Sequence, residues 1–376
     1  MTETSSLSKP RVALIFGGRS GEHQVSCATA ASVMAAIDRD RYDVIAIGIT
    51  PQGQWVRVPD KAELFEMVDG QGAVIEAKDS SITMWAGSGA LVERTVVGET
   101  IDATDLGEVD VVFPLLHGAF GEDGTVQGLL EMSDVKYVGC GVAASAACMD
   151  KHLTKSLLQG AGISVGHWTL ITDRQWKLDR SRALQMARSV GDNVYVKPAR
   201  AGSSLGISHV ENPDDLEAAL ELARKYDPRV VVEAAVNGRE IECGVLDFGV
   251  DELPRASVCG EISVETNDGF YDYETKYQAH DAVTLTTPAK IDPQVQERIQ
   301  QVAVQVFEVL GCEGLARVDF FYDEDADAVI VNEVNTMPGF TPWSMYPAMW
   351  EASGKRYSEL ITHLIENALS RPAGLR

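Results

Sequence analysis

The sequence predicts a mixed α/β protein of more than one domain, on three observations. Short apolar runs alternate with helix-patterned segments in the first third of the chain, the arrangement that builds a parallel sheet covered by helices. The remainder mixes strands and helices without that strict alternation. The chain has 376 residues, more than the ~250–300 at which a single hydrophobic core stops growing. The segmentation predicts an N-terminal unit over 1–139, a central unit over 140–233 and a C-terminal unit over 234–376.

Residues 11–17 are an apolar run ended by Gly17 and Gly18, a buried strand. Segment 22–37 reads as a helix with Val25, Val33 and Ile37 near one face. YDVIAIGIT is a second strand, VDVVFPLLHG a third that ends in His117-Gly118, and TVQGLLEM a short helix. Residues 52–105 are polar, Gly-rich and weakly periodic, an insertion of no predicted form. The central unit has helices around 150–159 and 179–190, and a strand NVYVK that runs into PARAGSSLG. Asn212 suits an N-cap and Pro213 a first helical position, with Leu216, Ala219, Leu220 and Ala223 on the buried face. VVVEA at 230–234 is a strand. The C-terminal unit has β-rich stretches over 240–263 and a Tyr-rich loop over 266–281. A helix opened by Asp292-Pro293 and closed by Gly311 follows, then two strands around DEDAD.

With 32 basic against 56 acidic residues the net charge is −24. Such a surface repels phosphate backbones and anionic lipid head groups, so nucleic acid and membrane are excluded as expected partners. An anionic substrate therefore needs a local pocket of Lys and Arg. No apolar run approaches the ~20 residues of a membrane helix, and the polar start does not read as a secretory signal. Six scattered cysteines, without C-x-x-C or a partnering His, read as packing thiols in a reduced, cytoplasmic chain.

Chemistry concentrates in strands 314–322 and 328–336. Strand side chains alternate faces, so Arg317 and Asp319 share one face, and so do Glu333 and Asn335. If the turn pairs these strands, two carboxylates, an amide and a guanidinium converge, and such hard oxygen donors suit Mg²⁺. A solvated outer face with a stray ion pair is the competing reading, and Asn332 interrupts the apolar pattern of the other face. Lys197 enters a Gly/Ser loop whose backbone N–H groups could wrap phosphate oxygens, although no Walker A motif occurs. A plain glycine hairpin competes with that reading. FGGRSGEH follows a strand and opens a helix but lacks the G-x-G-x-x-G order of a dinucleotide site, leaving Glu22 available for a cationic group. His117 ends a strand at the carboxyl edge, where α/β sheets bind ligands.

Seven segments in order, FGGRSGEHQVS, LLHGAFGEDGTVQGLLE, MDKHLTK, VKPARAGSSLGI, NGREIECGV, FYDYETKY and GLARVDFF…NEVNTMPGFT, resemble the ATP-grasp carboxylate–amine ligases, specifically the D-alanine–D-alanine ligase family. The resemblance runs from about Val12 to about Met349, with 52–105 unmatched. It implies a three-domain ATP-grasp fold with an N-terminal Rossmann-like domain, and ATP-dependent formation of D-alanyl-D-alanine through an acyl phosphate. It implies that Lys151, Lys197 and Ser204 meet ATP, with Glu233 and Glu240 at the adenine- and ribose-contacting positions. Ala234 stands where some members carry a lysine. It implies two Mg²⁺ (or Mn²⁺) ions on Asp319, Glu333 and Asn335. Glu22 would hold the ammonium of the first D-alanine, with His117 nearby; Ser344 and the Met345 backbone would receive the second carboxylate. Arg317 and the Gly339 N–H would stabilise the oxyanion, and Lys276 would reach the γ-phosphate as its loop closes. Tyr277, joined to Glu22 and Ser203, marks the dipeptide-forming members, whereas Phe there marks D-lactate users. D-alanyl-D-serine ligases are less well separated. A homodimer is expected from the family alone.

Overall fold

The computed structural model describes residues 9–68, 70–264 and 283–372. Strands β1 (Arg11–Gly17), β2 (Asp43–Ile49) and β3 (Trp55–Arg57) come first, then β4 (Ser80–Met84), β5 (Ala90–Val97) and β6 (Thr100–Glu108), then β7 (Val111–Pro114) and β8 (Lys136–Tyr137). They form a sheet in the order β3-β2-β1-β7-β8 and a smaller sheet β4-β5-β6. The first is parallel except at one edge, where β3 runs antiparallel to β2. That departs from the predicted all-parallel layer. The Thr50–Gln54 turn, with Gly53 at φ +94°, is a hairpin too short for a crossover, so the next strand can only return antiparallel.

The uninterpreted stretch thus contains an antiparallel sheet. Its periodicity is weak because only a strip of it is covered: Ile82, Met84 and Leu91 join the core with Ile15 and Ile47, while Val96, Val97 and Ile101 are exposed. The first helix spans His23–Ala36. Val33 and Ile37 are buried as expected, but Val25 is half-buried and lines a cleft.

The central sheet comprises β9 (Trp168–Ile171), β10 (Val194–Pro198), β11 (Ser208–Val210) and β12 (Val230–Ala234), ordered β11-β10-β12-β9 and antiparallel. Asn212 does cap, accepting from the Asp214 N–H, but the first turn is a 3₁₀ turn and the α-helix begins at Leu216. Its four predicted apolar residues are buried.

The third sheet joins β13 (Arg239–Leu246), β14 (Arg255–Val264), β15 (Val283–Thr286), β16 (Leu315–Asp323) and β17 (Ala328–Asn335) in the order β15-β14-β13-β16-β17. Helix Pro293–Val309 is capped by Asp292, whose carboxylate accepts from the Gln294 N–H. Helix Tyr357–Ser370 returns to the first sheet, where Leu360, Ile361 and Leu364 pack with Val12, Leu14 and Phe113. Leu246 and Leu315 of the third sheet belong to the same core. All six cysteines are buried free thiols. Among the described residues no helix is long and apolar enough to cross a membrane.

Candidate active site

β16 and β17 are antiparallel partners, with Arg317 opposite Asn335 and Asp319 opposite Glu333. The register shifts immediately afterwards, so that Phe320 pairs with Val331 and Asn332 is the extra residue of a β-bulge. The polar residue that broke the apolar face is therefore the one the ladder leaves out. Arg317 donates through Nε and Nη2 to both oxygens of Asp319, at 2.7 and 2.8 Å, and its Nε lies 3.1 Å from Glu242 Oε2. Burial works against its charge, but Asp319 and Glu242 outweigh burial and raise its pKa. Asn335 Nδ2 donates to Asp319 Oδ2 at 2.9 Å.

Two carboxylates and an amide are hard donors that fit a divalent cation. Among the described residues no three His, Cys, Asp or Glu side chains form a ready-made metal cage. That donor set fits Mg²⁺, which takes one or two carboxylates and completes its shell with water and substrate phosphate.

Lysines gather on the other side of the cleft. Lys197, on β10, donates to Glu233 Oε2 at 2.8 Å, and Lys155 Nζ lies 3.5 Å from Glu233 Oε1. Glu233 sits on β12 directly across from Tyr195, two residues before Lys197 on the same face. Burial would raise the Glu233 pKa, but the two ammonium groups outweigh it and hold it down to about 2. Burial lowers the pKa of Lys155. Lys151 starts the helix Lys151–Gly160, donates to Ala201 O at 2.9 Å and lies 3.9 Å from Glu333. It thereby links the lysine cluster to the carboxylates.

The loop after β10 holds Ser203 and Ser204 at φ 50° and 57°. Left-handed backbone at a non-glycine residue costs about 1–3 kcal/mol and concentrates at functional sites. Ser203 Oγ donates to Glu22 Oε1 at 2.5 Å. Gly118 flanks the same carboxylate: its φ is +70°, and a Cβ there would lie 2.6 Å from Glu22 Oε2.

His117 Nδ1 is 3.0 Å from Met337 O, an atom that only accepts, so Nδ1 carries the proton. Its Nε2 pairs with Thr29 Oγ1 at 3.1 Å. The Met337 N–H donates to Glu122 Oε1 at 2.9 Å, and the Gly118 N–H donates to Glu122 Oε2 at 2.7 Å. Burial, and then the charge of Glu22, push the Glu122 pKa up to about 7. The N–H and C=O of Met337 are thus both held by the segment that follows β7, two residues before Gly339. Ser344 Oγ accepts from the Thr341 N–H at 3.1 Å and precedes helix Met345–Ala352, whose positive N-terminal end suits a carboxylate.

A family model described as D-ala D-ala ligase N-terminus matches residues 11–140, and one described as D-ala D-ala ligase C-terminus matches 157–366. The chain belongs to the D-alanine–D-alanine ligase family. A D-alanine–D-alanine ligase of Kineococcus radiotolerans is 51% identical over 376 residues, covering 99% of this chain and 100% of that one. Among solved structures, the D-alanine–D-alanine ligase of Coxiella burnetii matches with TM-score 0.78 at 34% identity, over 96% of this chain and 94% of that one. The VanG D-Ala:D-Ser ligase of Enterococcus faecalis matches with TM-score 0.80 at 34% identity, over 96% and 99%. The ATP-grasp fold expected from the sequence is thereby established.

Within this family member, every predicted site residue in the described segments lines one cleft of about 480 Å³. Lys276 and Tyr277 lie outside the described residues. Three carboxylate or ammonium groups of the same cleft were not predicted: Glu122, Lys155 and Glu242. A signal existed for each. Glu122 lies in the quoted GEDG segment, Lys155 sits four residues after Lys151, and Glu242 alternates with Glu240 on a strand that is apolar from Cys243 onward.

Proposed function

We propose that the chain joins two D-alanines at the expense of ATP, giving D-alanyl-D-alanine, ADP and phosphate for peptidoglycan synthesis. The observation that carries this reading is the cleft itself. It sets the Lys151, Lys155 and Lys197 cluster beside the Arg317, Asp319, Glu333 and Asn335 constellation, and Glu22 lines the same cleft. Full-length identity of about half to ligases of this name supports the substrate.

A carboxylate resists amine attack because its charge is delocalised and oxide is a poor leaving group. Transfer of the γ-phosphoryl of ATP onto the first D-alanine replaces that leaving group with phosphate. Lys151 and Lys197 bind the phosphates, Ser204 lies in the loop over them, and Glu233 and Glu240 face the nucleoside. Glu233 also counters Lys197 and Lys155, so the adenine reaches it only as one partner among three. Asp319, Glu333 and Asn335 would hold two divalent cations, Mg²⁺ or Mn²⁺, which would spread the charge of the transferring group. Glu22, with Ser203, holds the first substrate's ammonium, and His117 fixes the neighbouring turn. Arg317 and the Gly339 N–H donate to the oxyanion formed when the second amine attacks, a contact worth about 3–4 kcal/mol. Ser344 and the Met345 backbone receive the second carboxylate. Lys276 and Tyr277 belong to the loop that closes over the acyl phosphate and excludes water.

A cytoplasmic homodimer divided near 139 and 233 completes the proposal. D-serine is the competing second substrate, since a D-Ala:D-Ser ligase shares the fold. Chromatography of products from equimolar D-alanine and D-serine tests the reading. D-Alanyl-D-alanine as the main product supports it, and predominance of the mixed dipeptide reassigns the second site.

A further inference from the structure

Three adjacent strands place three carboxylates side by side. Glu242 on β13 pairs with Asp319 on β16, which pairs with Glu333 on β17. Arg317, two residues from Asp319 on the same face, is the guanidinium that faces this row. Glu242 is 4% exposed and Asp319 9%, so neither charge is met by bulk water. Arg317 Nε donates to Asp319 Oδ1 at 2.7 Å and lies within ion-pair distance, 3.1 Å, of Glu242 Oε2.

The two partners of Arg317 differ in one respect. Asp319 faces Glu333 and Asn335, the other members of the cation-binding set, whereas Glu242 lies on the far side of Asp319 from them. A divalent cation on Asp319 competes with the guanidinium for the same oxygens and repels it. Without a second anion, Arg317 would either hold Asp319 back from the cation or leave the cleft. We propose that Glu242 is a positioning residue that takes over Arg317 when Asp319 turns to the cation, keeping the guanidinium in the cleft. This rests on the reading of Asp319 and Glu333 as cation ligands.

The test is the affinity of the full chain for Mn²⁺ in the presence of ADP, read by electron paramagnetic resonance of the free ion. Glu242→Gln should weaken Mn²⁺ binding by about tenfold, as loss of a partner that orients a metal ligand commonly does. Glu242→Asp keeps the charge but withdraws it by one methylene, and should show a similar loss. In an Arg317→Met background Glu242→Gln should change affinity by less than about twofold, because the pair it acts through is gone. Wild-type affinity in Glu242→Asp, or an equal loss in both Arg317 backgrounds, would overturn the proposal in favour of a simple field effect. Should Glu242→Gln fail to fold by circular dichroism, Glu242→Asp carries the comparison. Asp319→Asn separates the two levels. If it leaves Mn²⁺ affinity intact, the cation-ligand reading itself fails. If it abolishes binding while Glu242→Asp binds normally, only the positioning role fails.

Discussion

Asp319 and Glu333 are cross-strand partners, held opposite one another by a ladder that shifts register one step later. Two carboxylates so placed, partly buried, repel each other unless a cation or guanidinium lies between them. Arg317 supplies part of that compensation through its two bonds to Asp319. Replacing Glu333 by Gln should lower turnover on the order of a thousandfold, several kcal/mol of transition-state charge stabilisation. The thermal midpoint should stay near that of the wild type, because Glu333 is only half-buried. Steady-state dipeptide formation checks the first, and near-normal turnover would refute the metal assignment.

Lys197 should matter to folding as well as to ATP. Removing its ammonium leaves the buried Glu233 with Lys155, at 3.5 Å, as its nearest remaining cation among the described residues. Breaking a buried pair from one side costs about 3–5 kcal/mol. Lys197→Met should therefore lower the unfolding free energy by up to that amount, read from denaturant titration, and raise KM for ATP by about tenfold or more. Lys155→Met should cost similar stability with a smaller change in KM. Equal KM effects in the two variants would remove the distinction between phosphate contact and support.

Gly118 tests the first substrate position. A Cβ at this site would lie 2.6 Å from Glu22 Oε2, and the φ of +70° adds strain for any side chain. Gly118→Ala should displace the Glu22 carboxylate, weakening first-site D-alanine binding about tenfold or more while KM for ATP changes little. A loss confined to ATP would place Glu22 elsewhere in the reaction.

Glu122 makes stability depend on pH. Its pKa is about 7 in the folded chain against an ordinary 4.5, chiefly through burial and then through Glu22. The native state therefore holds the proton more tightly than the unfolded chain. The stabilisation is fully present below the unfolded value and is lost as pH rises through about 7, amounting to about 3 kcal/mol. The melting temperature of the wild type relative to Glu122→Gln should fall between about pH 5 and pH 8. A constant difference across that range would contradict the assignment.

Much of the site was legible because strand parity is a strict rule. Arg317 with Asp319, and Glu333 with Asn335, share faces whatever surrounds them. Their register across the turn was not legible, since a bulge at Asn332 needs backbone geometry to be seen. The sheet within 52–105 escaped for another reason: β6 is almost wholly exposed, so no alternation was imposed on it. Lys155 and Glu122 were hidden by tertiary context. A lysine near a helix start and a carboxylate in a Gly-rich turn read as surface groups until packing buries the first and half-buries the second against Met337. Glu242 was the most accessible of the missed residues, because a second carboxylate two positions after Glu240 already lies on the same face.

The central claim is a carboxylate activated by ATP and captured by a D-amino acid. Phosphate release from ATP and Mg²⁺ tests it most directly, with D-alanine, L-alanine and D-lactate added in parallel. Release that requires D-alanine, matched one for one by D-alanyl-D-alanine, is the predicted result. Release that is indifferent to D-alanine, or that proceeds without dipeptide, would contradict it.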